Sequence, residues 1–396
     1  MIIENMATKF GRICLMVLDS AGIGEMPDAA AWGDAGADTL GHILESRHVN
    51  LPNLRRMGLG NITPLKGMSA VDVPTGSYGK CTLKSDGKDT TTGHWEMAGI
   101  ILKTGFPKFP DGFPPRIIDE FVTRANVPGV LGNYAASGTE IIKDLGKEHI
   151  RTGKPIVYTS ADSVFQIAAH EEVVPIDRLY EICEIARRIL QGDDEVARVI
   201  ARPFLGSNAD NFKRTENRHD YAVPPPAGNL LPLLKDAGLD VVCIGKIASI
   251  YDGMGVTEDL TAKNNEQIID VTIQALNAES RGLIFSNLVD FDMLYGHRRD
   301  TEGYAKALEH FDRRLPEIID ALNDDDLLIM TADHGNDPTK EGSDHTREYV
   351  PLLVYGKSAR GGIVLGTRQS LSDIGQTIAE NFGLQIADGV SFLQYV

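Results

Sequence analysis

Residues 327–336 read LLIMTADHGN: a short apolar run is followed at once by aspartate, histidine, glycine and asparagine. Other apolar runs of strand length occur along the chain, and they too are continuous, without alternation of apolar and polar residues. Continuous runs are typical of parallel strands that are covered on both faces. The five runs are Ile13–Leu18, Val241–Gly245, Leu283–Val289, Leu327–Thr331 and Leu352–Tyr355.

Segments with helical spacing lie between these runs. In the clearest one, over residues 303–323, apolar residues recur every three or four positions, which is the spacing of a helix with one buried face. Strands that alternate with helices predict an α/β fold. We therefore expect a mainly parallel sheet that is flanked by helices.

The middle of the chain has a different character. Proline-rich segments bound residues 104–221 on both sides, and proline clusters interrupt regular structure. The segment has strand candidates of its own at Ile156–Thr159 and Val196–Ala201. We predict that it is a smaller α/β domain, a cap, inserted into a core domain formed by residues 1–103 and 222–396.

Composition excludes several classes of protein. The 396 residues include 39 lysines and arginines against 56 aspartates and glutamates, for a net charge of −17, which disfavours a nucleic-acid binder. No apolar stretch approaches the roughly 20 residues that span a bilayer, and charged residues interrupt the first twelve positions, unlike a signal peptide. The four cysteines are scattered, as in a reduced protein. We expect a cytoplasmic protein with small-molecule partners.

Acidic and imidazole side chains follow three of the apolar runs. Ligands of open α/β sheets bind at the carboxyl ends of the strands, so these side chains are expected to meet there. Three carboxylates and three imidazoles suffice for two metal ions with three protein ligands each. Oxygen and nitrogen donors without thiolate favour manganese or zinc. The six residues are Asp19, Asp292, His297, Asp333, His334 and His345.

A nucleophile is available upstream of this set. Residues 84–94 read KSDGKDTTTGH and contain three consecutive hydroxyls, on Thr90, Thr91 and Thr92. A threonine hydroxyl is a poor nucleophile unless a base or a metal removes its proton. The alternative interpretation is a solvated, threonine-rich turn, and the spacing alone leaves both interpretations open.

At these residues the sequence resembles bacterial phosphopentomutases of the alkaline phosphatase-like superfamily, over essentially the whole chain. The motifs that carry the resemblance are long. They are DSAGIG at 19–24, GKDTTTGHWE at 87–96, YTSADS at 158–163, NRHDY at 217–221, DFDMLYGHRRD at 290–300, DHGND at 333–337 and DHTRE at 344–348.

The resemblance implies an alkaline phosphatase-like core with an inserted cap, and two Mn²⁺ ions per subunit. One ion would be bound by Asp292, His297 and His345. The other would be bound by Asp19, Asp333 and His334, close to Thr90, the residue that would carry phosphate. The implied substrate contacts are Ser160, Asp162, Arg198 and Ile200 in the cap and Lys246 in the core.

The implied reaction interconverts ribose 1-phosphate or deoxyribose 1-phosphate with the 5-phosphate through a 1,5-bisphosphate. A sugar bisphosphate, glucose 1,6-bisphosphate or ribose 1,5-bisphosphate, would serve as activator. The alternatives are a metal-dependent phosphatase or phosphoglycerate mutase on the same fold, and a non-enzymatic, acidic metal-binding protein. The sequence does not indicate an oligomeric state.

Overall fold

The computed structural model describes residues 8–160 and 162–396. The first seven residues and Ala161 of the 158–163 motif lie outside the described residues. The chain divides into two compact units. One, the inserted unit, spans Phe106–Pro224, where the sequence predicted an insertion over 104–221; the other, the core unit, consists of the rest of the chain.

Strands and helices alternate through much of the chain. The strands are β1 (Arg12–Leu18), β2 (Ser77–Cys81), β3 (Leu131–Ala135), β4 (Ile156–Thr159), β5 (Val164–His170), β6 (Arg198–Leu205), β7 (Lys213–Arg214), β8 (His219–Ala222), β9 (Asp240–Ile244), β10 (Glu258–Leu260), β11 (Gly282–Leu288), β12 (Asp326–Thr331), β13 (Val350–Tyr355) and β14 (Val364–Arg368). The helices are α1 (Thr39–Ser46), α2 (Pro52–Met57), α3 (Leu59–Ile62), α4 (Thr90–Met97), α5 (Pro115–Arg124), α6 (Gly138–Thr152), α7 (Ile176–Ile189), α8 (Leu230–Asp236), α9 (Ile247–Ile250), α10 (Asn265–Asn277), α11 (Thr301–Ala321) and α12 (Ser372–Asn381).

The core unit is built on an eight-stranded sheet in the order β10-β9-β11-β1-β12-β13-β2-β14. Strands β10, β9, β11, β1 and β12 run parallel to one another. Every residue of β1, β11 and β12 is buried, because these central strands are covered on both faces. The predicted α/β fold with a mainly parallel sheet is confirmed.

Strand β13 corrects one part of that prediction. It contains the apolar run Leu352–Tyr355, but it is antiparallel to both of its neighbours, β12 and β2. A continuous apolar run indicates a strand that is buried on both faces, and β13 is buried in this way. Since an antiparallel strand in the middle of a covered sheet is buried in the same way, the apolar pattern cannot report strand direction.

The inserted unit has a sheet of its own, in the order β3-β4-β5-β6-β7, and β8 also pairs with β6. One face packs against α5 and α7 around Phe121 and Phe165. The other face packs against α6 around Ile141 and Phe204. No helix in the described part of the chain is both long enough and apolar enough to cross a membrane.

Candidate active site

Strand register brings the predicted metal ligands to one edge of the core sheet. Central strand β1 pairs in parallel with β11 and β12, with Leu18 opposite Leu288 and Val17 opposite Thr331. Asp19 therefore emerges beside the segments that follow β11 and β12. This edge is formed by the carboxyl ends of the strands, where ligands of open α/β sheets bind.

Asp19, Asp333 and His334 form a compact buried group with donor atoms within 4.8 Å of one another. Nε2 of His334 lies 3.6 Å from Oδ1 of Asp19 and 3.3 Å from Oδ2 of Asp333. Oδ1 of Asp333 accepts a hydrogen bond from the backbone N–H of Ser20. That bond fixes the orientation of the Asp333 carboxylate and links the ends of β1 and β12.

Asp292 contacts two more imidazoles. Its Oδ2 lies 3.1 Å from Nε2 of His297, and its Oδ1 lies 3.4 Å from Nε2 of His345. The rings of His345 and His334 have centroids 4.0 Å apart, and a second group of close donor atoms combines Asp292, His334 and His345. The six predicted ligands thus form one continuous cluster, in which His334 adjoins both halves. The division into three ligands for each ion stays a prediction.

The protonation of the cluster shows that it stabilises positive charge. Burial, with the carboxylates of Asp333 and Asp292 adding to it, raises the pKa of Asp19 well above its usual range. Burial disfavours a charged imidazole, but Asp333 and Asp19 outweigh it and raise the pKa of His334 to about 9. Three converging carboxylates therefore favour a positive charge among them.

Three donor atoms of the cluster accept no hydrogen bond within the described chain: Oδ1 of Asp19, Oδ2 of Asp333 and Nε2 of His345. Buried polar atoms are nearly always hydrogen-bonded, so atoms without a partner need an explanation. Carboxylate oxygens and imidazole nitrogens that point into a shared space are the donor set of divalent metals such as Mn²⁺ and Zn²⁺. The residues present fit a metal site.

Thr90 is the first residue of α4 and lies beside this cluster. Its Oγ1 is 3.2 Å from Nε2 of His334. Thr92 is fully buried, and its hydroxyl donates to Asp89, the residue that caps the helix. Thr91 is also buried, whereas Thr90 is partly exposed. Of the three consecutive hydroxyls, the one on Thr90 therefore combines access with proximity to the cluster.

Helix α4 can approach the cluster because residue 93 is glycine. A Cβ atom at Gly93 would lie 2.2 Å from the backbone oxygen of Asp333. No side chain fits at that distance, so the spacing between Thr90 and the loop after β12 depends on this glycine.

Two buried side chains that sequence reasoning did not assign hold the loop before Thr90. Glu96 accepts hydrogen bonds from the backbone N–H groups of Lys84 and Ser85. Arg347 donates to the carbonyl oxygens of Ser85 and Gly87. Both residues belong to motifs quoted above, but local sequence cannot show that a glutamate and an arginine 251 positions apart, 96 against 347, support the same loop.

Two asparagines that were also not assigned donate to the predicted ligands. Nδ2 of Asn336 lies 2.7 Å from Oδ1 of Asp292, and Nδ2 of Asn287 lies 3.1 Å from Oδ2 of Asp19. A signal for Asn287 was present, because it and Ser286 are the two polar residues in the run Leu283–Val289.

Most of the predicted substrate contacts belong to the inserted unit. Arg198, Ile200 and Arg202 alternate along β6 and so share one face of its sheet. The guanidinium of Arg198 lies 3.5 Å from Asp162 and 3.6 Å from Asp220. Ser160, which follows β4, is partly exposed.

Each unit carries a further cation at its polar site: Arg202 in the inserted unit and Lys246 in the core unit. Burial, followed by the neighbouring charge of Arg218, lowers the pKa of Arg202 to about 10. In the core unit, Lys246 lies just beyond β9, at the sheet edge where Asp19 follows β1.

Comparisons with known proteins agree with this architecture. The family description of the Metalloenzyme superfamily matches residues 11–386. A solved protein from Pyrococcus horikoshii superposes with a TM-score of 0.50 at 15% identity, over 97% of this chain and 100% of that one. At such low identity the likeness concerns the fold alone.

Sequence relatives are much closer. A phosphopentomutase from Caldanaerobacter subterraneus subsp. tengcongensis is 57% identical over 384 residues, which is 97% of each chain. A phosphopentomutase from Symbiobacterium thermophilum is 56% identical over 387 residues, covering 97% of this chain and 98% of that one. With identities of this size over nearly the full length, and with the metal-binding cluster and Thr90 in place, the chain belongs to the phosphopentomutase family of the Metalloenzyme superfamily.

Proposed function

We propose that the protein interconverts ribose 1-phosphate or deoxyribose 1-phosphate with the corresponding 5-phosphate through a phosphothreonine at Thr90. The observation that carries the proposal is the position of Thr90 Oγ1, 3.2 Å from Nε2 of His334, at a buried cluster of three carboxylates and three imidazoles. Relatives that are named phosphopentomutases share more than half of the residues.

The six residues of the cluster would hold two Mn²⁺ ions, with Asp292, His297 and His345 on one and the other three ligands on the second. When bound, the ions would neutralise phosphoryl oxygens and favour the ionised form of a hydroxyl. Two divalent ions against three carboxylates leave a net charge of about +1, which suits a phosphoryl group in an otherwise acidic protein.

Thr90 would carry the phosphoryl group between the two ends of the sugar. In the first half-reaction the P–O bond to Thr90 Oγ1 breaks, and a new P–O bond forms to the free hydroxyl of the monophosphate. The proton that this hydroxyl gives up ends on Thr90 Oγ1. The product is a 1,5-bisphosphate and unmodified threonine. In the second half-reaction Thr90 attacks the other phosphate, so phosphothreonine is restored and the isomeric monophosphate leaves.

The helix start makes Thr90 suited to this role. Because Thr90 is the first residue of α4, its phosphate would lie at the amino end of a helix, where free N–H groups and the helix dipole favour negative charge. The hydrogen bonds that Glu96 and Arg347 make to the loop before Thr90 keep this loop in place while the phosphoryl group is transferred. A held geometry matters because misplacement of a nucleophile by about 1 Å can cost a hundredfold in rate.

Ser160, Asp162, Arg198 and Ile200 of the inserted unit, with Lys246 of the core unit, would bind the sugar and the phosphate that does not react. Guanidinium and ammonium groups neutralise phosphate oxygens, and a guanidinium can do so through two parallel hydrogen bonds. A sugar bisphosphate, glucose 1,6-bisphosphate or ribose 1,5-bisphosphate, would phosphorylate Thr90 and start the cycle.

The test is a comparison of substrates with the Mn²⁺-loaded protein and a trace of sugar bisphosphate. We expect conversion of ribose 5-phosphate to ribose 1-phosphate, no conversion of 3-phosphoglycerate, and little release of inorganic phosphate. Conversion of 3-phosphoglycerate would identify a phosphoglycerate mutase, and rapid release of phosphate would identify a phosphatase. Absence of turnover with every phosphate ester would favour a metal-binding protein without catalytic activity.

A further inference from the structure

Asn287 is a buried amide in the middle of the core sheet. It lies on β11, where every residue is buried, and is itself 0% exposed. Burial of an amide costs free energy unless its polar atoms find partners. An apolar residue would pack there without that cost, so the partners of Asn287 indicate why the position is polar.

Both hydrogens of the Asn287 amide have acceptors near Thr90. Its Nδ2 lies 3.1 Å from Oδ2 of Asp19 and 3.0 Å from Nε2 of His94, and its Oδ1 accepts no hydrogen bond within the described chain. The reversed amide orientation would place Oδ1 against the carboxylate of Asp19, two acceptors facing each other. The orientation is therefore set by Asp19.

This amide also determines the tautomer of His94, which is fully buried. Since Nε2 of His94 accepts from Asn287, the ring proton is on Nδ1. Nδ1 lies 2.9 Å from the carbonyl oxygen of Thr90 and 3.2 Å from Oδ2 of Asp333. The imidazole thus donates to the first turn of α4 and lies in contact with the carboxylate that follows β12.

We propose that Asn287 and His94 form a positioning pair for the reaction. The pair connects the backbone of Thr90 to Asp19 through hydrogen bonds and places the imidazole in contact with Asp333. It therefore sets the distance between the nucleophile and two predicted ligands of the same metal ion. The inference rests on the proposed function, in which Thr90 carries phosphate and Asp19, Asp333 and His334 bind that ion. Neither member contacts the reacting atoms, so both are positioning residues.

A packing role and a positioning role predict different results for Asn287→Leu. Leucine fills similar space but donates no hydrogen bond, so Asp19 loses a partner and His94 loses the bond that holds its tautomer. If the pair only fills the core, both metal ions stay bound. If the pair positions the ligands, binding of the metal ion at Asp19, Asp333 and His334 becomes weaker. The ion at Asp292, His297 and His345 stays bound.

The experiment measures Mn²⁺ binding to the full chain by calorimetry and by metal content after dialysis, together with kcat and KM for ribose 5-phosphate. For wild type we expect two ions per chain. For Asn287→Leu we expect one of the two sites to weaken by about 10–100-fold, the usual effect of removing a partner of a metal ligand. We also expect kcat to fall by about the same factor, with KM changed less than about threefold, because alignment and not substrate binding is lost.

Asn381→Leu is the matched control. Asn381 is the last residue of α12, lies away from the cluster and is also buried, at 2% exposure. Its amide accepts from the backbone N–H of Phe10 and donates to the carbonyl oxygen of Phe10. We expect this variant to lose thermal stability but to keep two ions and wild-type kcat. Two equally tight ions and unchanged kcat in Asn287→Leu would overturn the positioning pair. A wild-type protein that binds no metal would instead refute the proposed function.

The tautomer of His94 can be measured in the wild-type protein. This second test therefore works even if Asn287→Leu does not fold. In ¹⁵N spectra of Zn²⁺-loaded wild type, labelled at histidine and assigned with His94→Gln, we expect the proton of the His94 ring on Nδ1. A proton on Nε2 would show that Asn287 does not donate to His94, and the proposed pair would be wrong.

Discussion

The two compact units carry opposite kinds of charge at their polar sites. In the core unit, Asp19, Asp292 and Asp333 converge beside three imidazoles, and two of these carboxylates have an oxygen without a hydrogen bond among the described residues. That arrangement requires cations. It is built at the ends of buried strands, where the ligands have little freedom to rearrange.

The inserted unit collects arginines instead. Arg198, Arg202 and Arg218 surround the carboxylate of Asp220, which bonds Arg218 through both oxygens. The Nε of Arg198 is buried and lacks a partner among the described residues. An excess of guanidinium groups over carboxylates is suited to phosphate. The comparison shows that carboxylates and imidazoles dominate the polar site of one unit and guanidinium groups that of the other. This is the difference expected if the core unit holds metal and the inserted unit holds an anionic substrate, as proposed.

The largest effect is expected for Thr90→Ala, which removes the proposed phosphoryl carrier and leaves the carboxylates and imidazoles unchanged. Turnover of ribose 5-phosphate should fall by at least about a thousandfold, as for loss of a catalytic nucleophile, while the metal content stays at the wild-type value. The measurement is steady-state turnover together with mass spectrometry of the peptide that contains Thr90, after incubation with a sugar bisphosphate.

Thr91→Ala is the matched control, since it removes a neighbouring hydroxyl from the same helix. It should remain active and become phosphorylated at Thr90. If Thr90→Ala kept more than a few per cent of activity and Thr91→Ala lost it, the nucleophile would be assigned to the wrong threonine.

The proposed metal binding by the core unit is tested by Asp333→Asn and His345→Ala. Each variant removes one ligand from a site with three, so Mn²⁺ affinity should fall by about a hundredfold or more, at least the loss seen when a partner of a ligand is removed. Chelation of wild type should abolish turnover, and added Mn²⁺ should restore it. Metal analysis after dialysis measures the loss.

Asp312→Asn controls for the removal of a buried charge. Asp312 is fully buried, and it accepts hydrogen bonds from the backbone N–H groups of Asn53 and Leu54. This variant should unfold at a lower temperature and keep its metal. Full metal occupancy in both ligand variants would contradict the assignment of the cluster.

The phosphate-binding half is tested by Arg198→Ala. If Arg198 binds the remote phosphate as proposed, loss of its guanidinium should raise KM for ribose 5-phosphate by about tenfold or more, equivalent to about 1.4 kcal/mol. The variant should also need more bisphosphate activator than wild type, because the intermediate escapes more often. Arg188→Ala, at an exposed position on α7 of the same unit, should behave as wild type. Identical activator curves for Arg198→Ala and wild type would contradict this role.

The smallest effect concerns the stability of the inserted unit at low pH. Burial lowers the pKa of His149 below its ordinary value of 6.5. In the folded protein its Nδ1 donates to the carbonyl of Lys154 and its Nε2 accepts from the N–H of His170. A proton on Nε2 would face that N–H donor. Because the unfolded chain binds the proton more readily, stability should fall as pH drops below 6.5, by at most about 1.4 kcal/mol per pH unit.

Thermal unfolding between pH 5 and pH 8 measures this slope. The slope should be smaller in His149→Gln, which cannot take up the proton, and unchanged in His48→Gln, which alters an exposed histidine. An equal slope in wild type and His149→Gln would show that another group is responsible.

Much of the site could be predicted because its residues are signalled locally. Asp19 and Asp333 each follow a continuous apolar run closely, and parallel strands deliver their carboxyl ends to a common edge. Long motifs around Thr90 and His345 then identify the family. Signals of this kind need only a few consecutive residues, so they can be recognised without any knowledge of the fold.

The sequence by itself determined the α/β class, because burial pattern is a property of short segments. It also predicted the types of metal ligand from side-chain chemistry and, through its family motifs, Thr90 as the nucleophile. Only the tertiary structure decided that β13 is antiparallel, that Asn287 donates to both Asp19 and His94, and that α4 can approach Asp333 through Gly93. These features depend on strand register and on packing between segments that are distant in sequence. Register is set by the sum of many weak contacts across the whole sheet, so no local pattern records it.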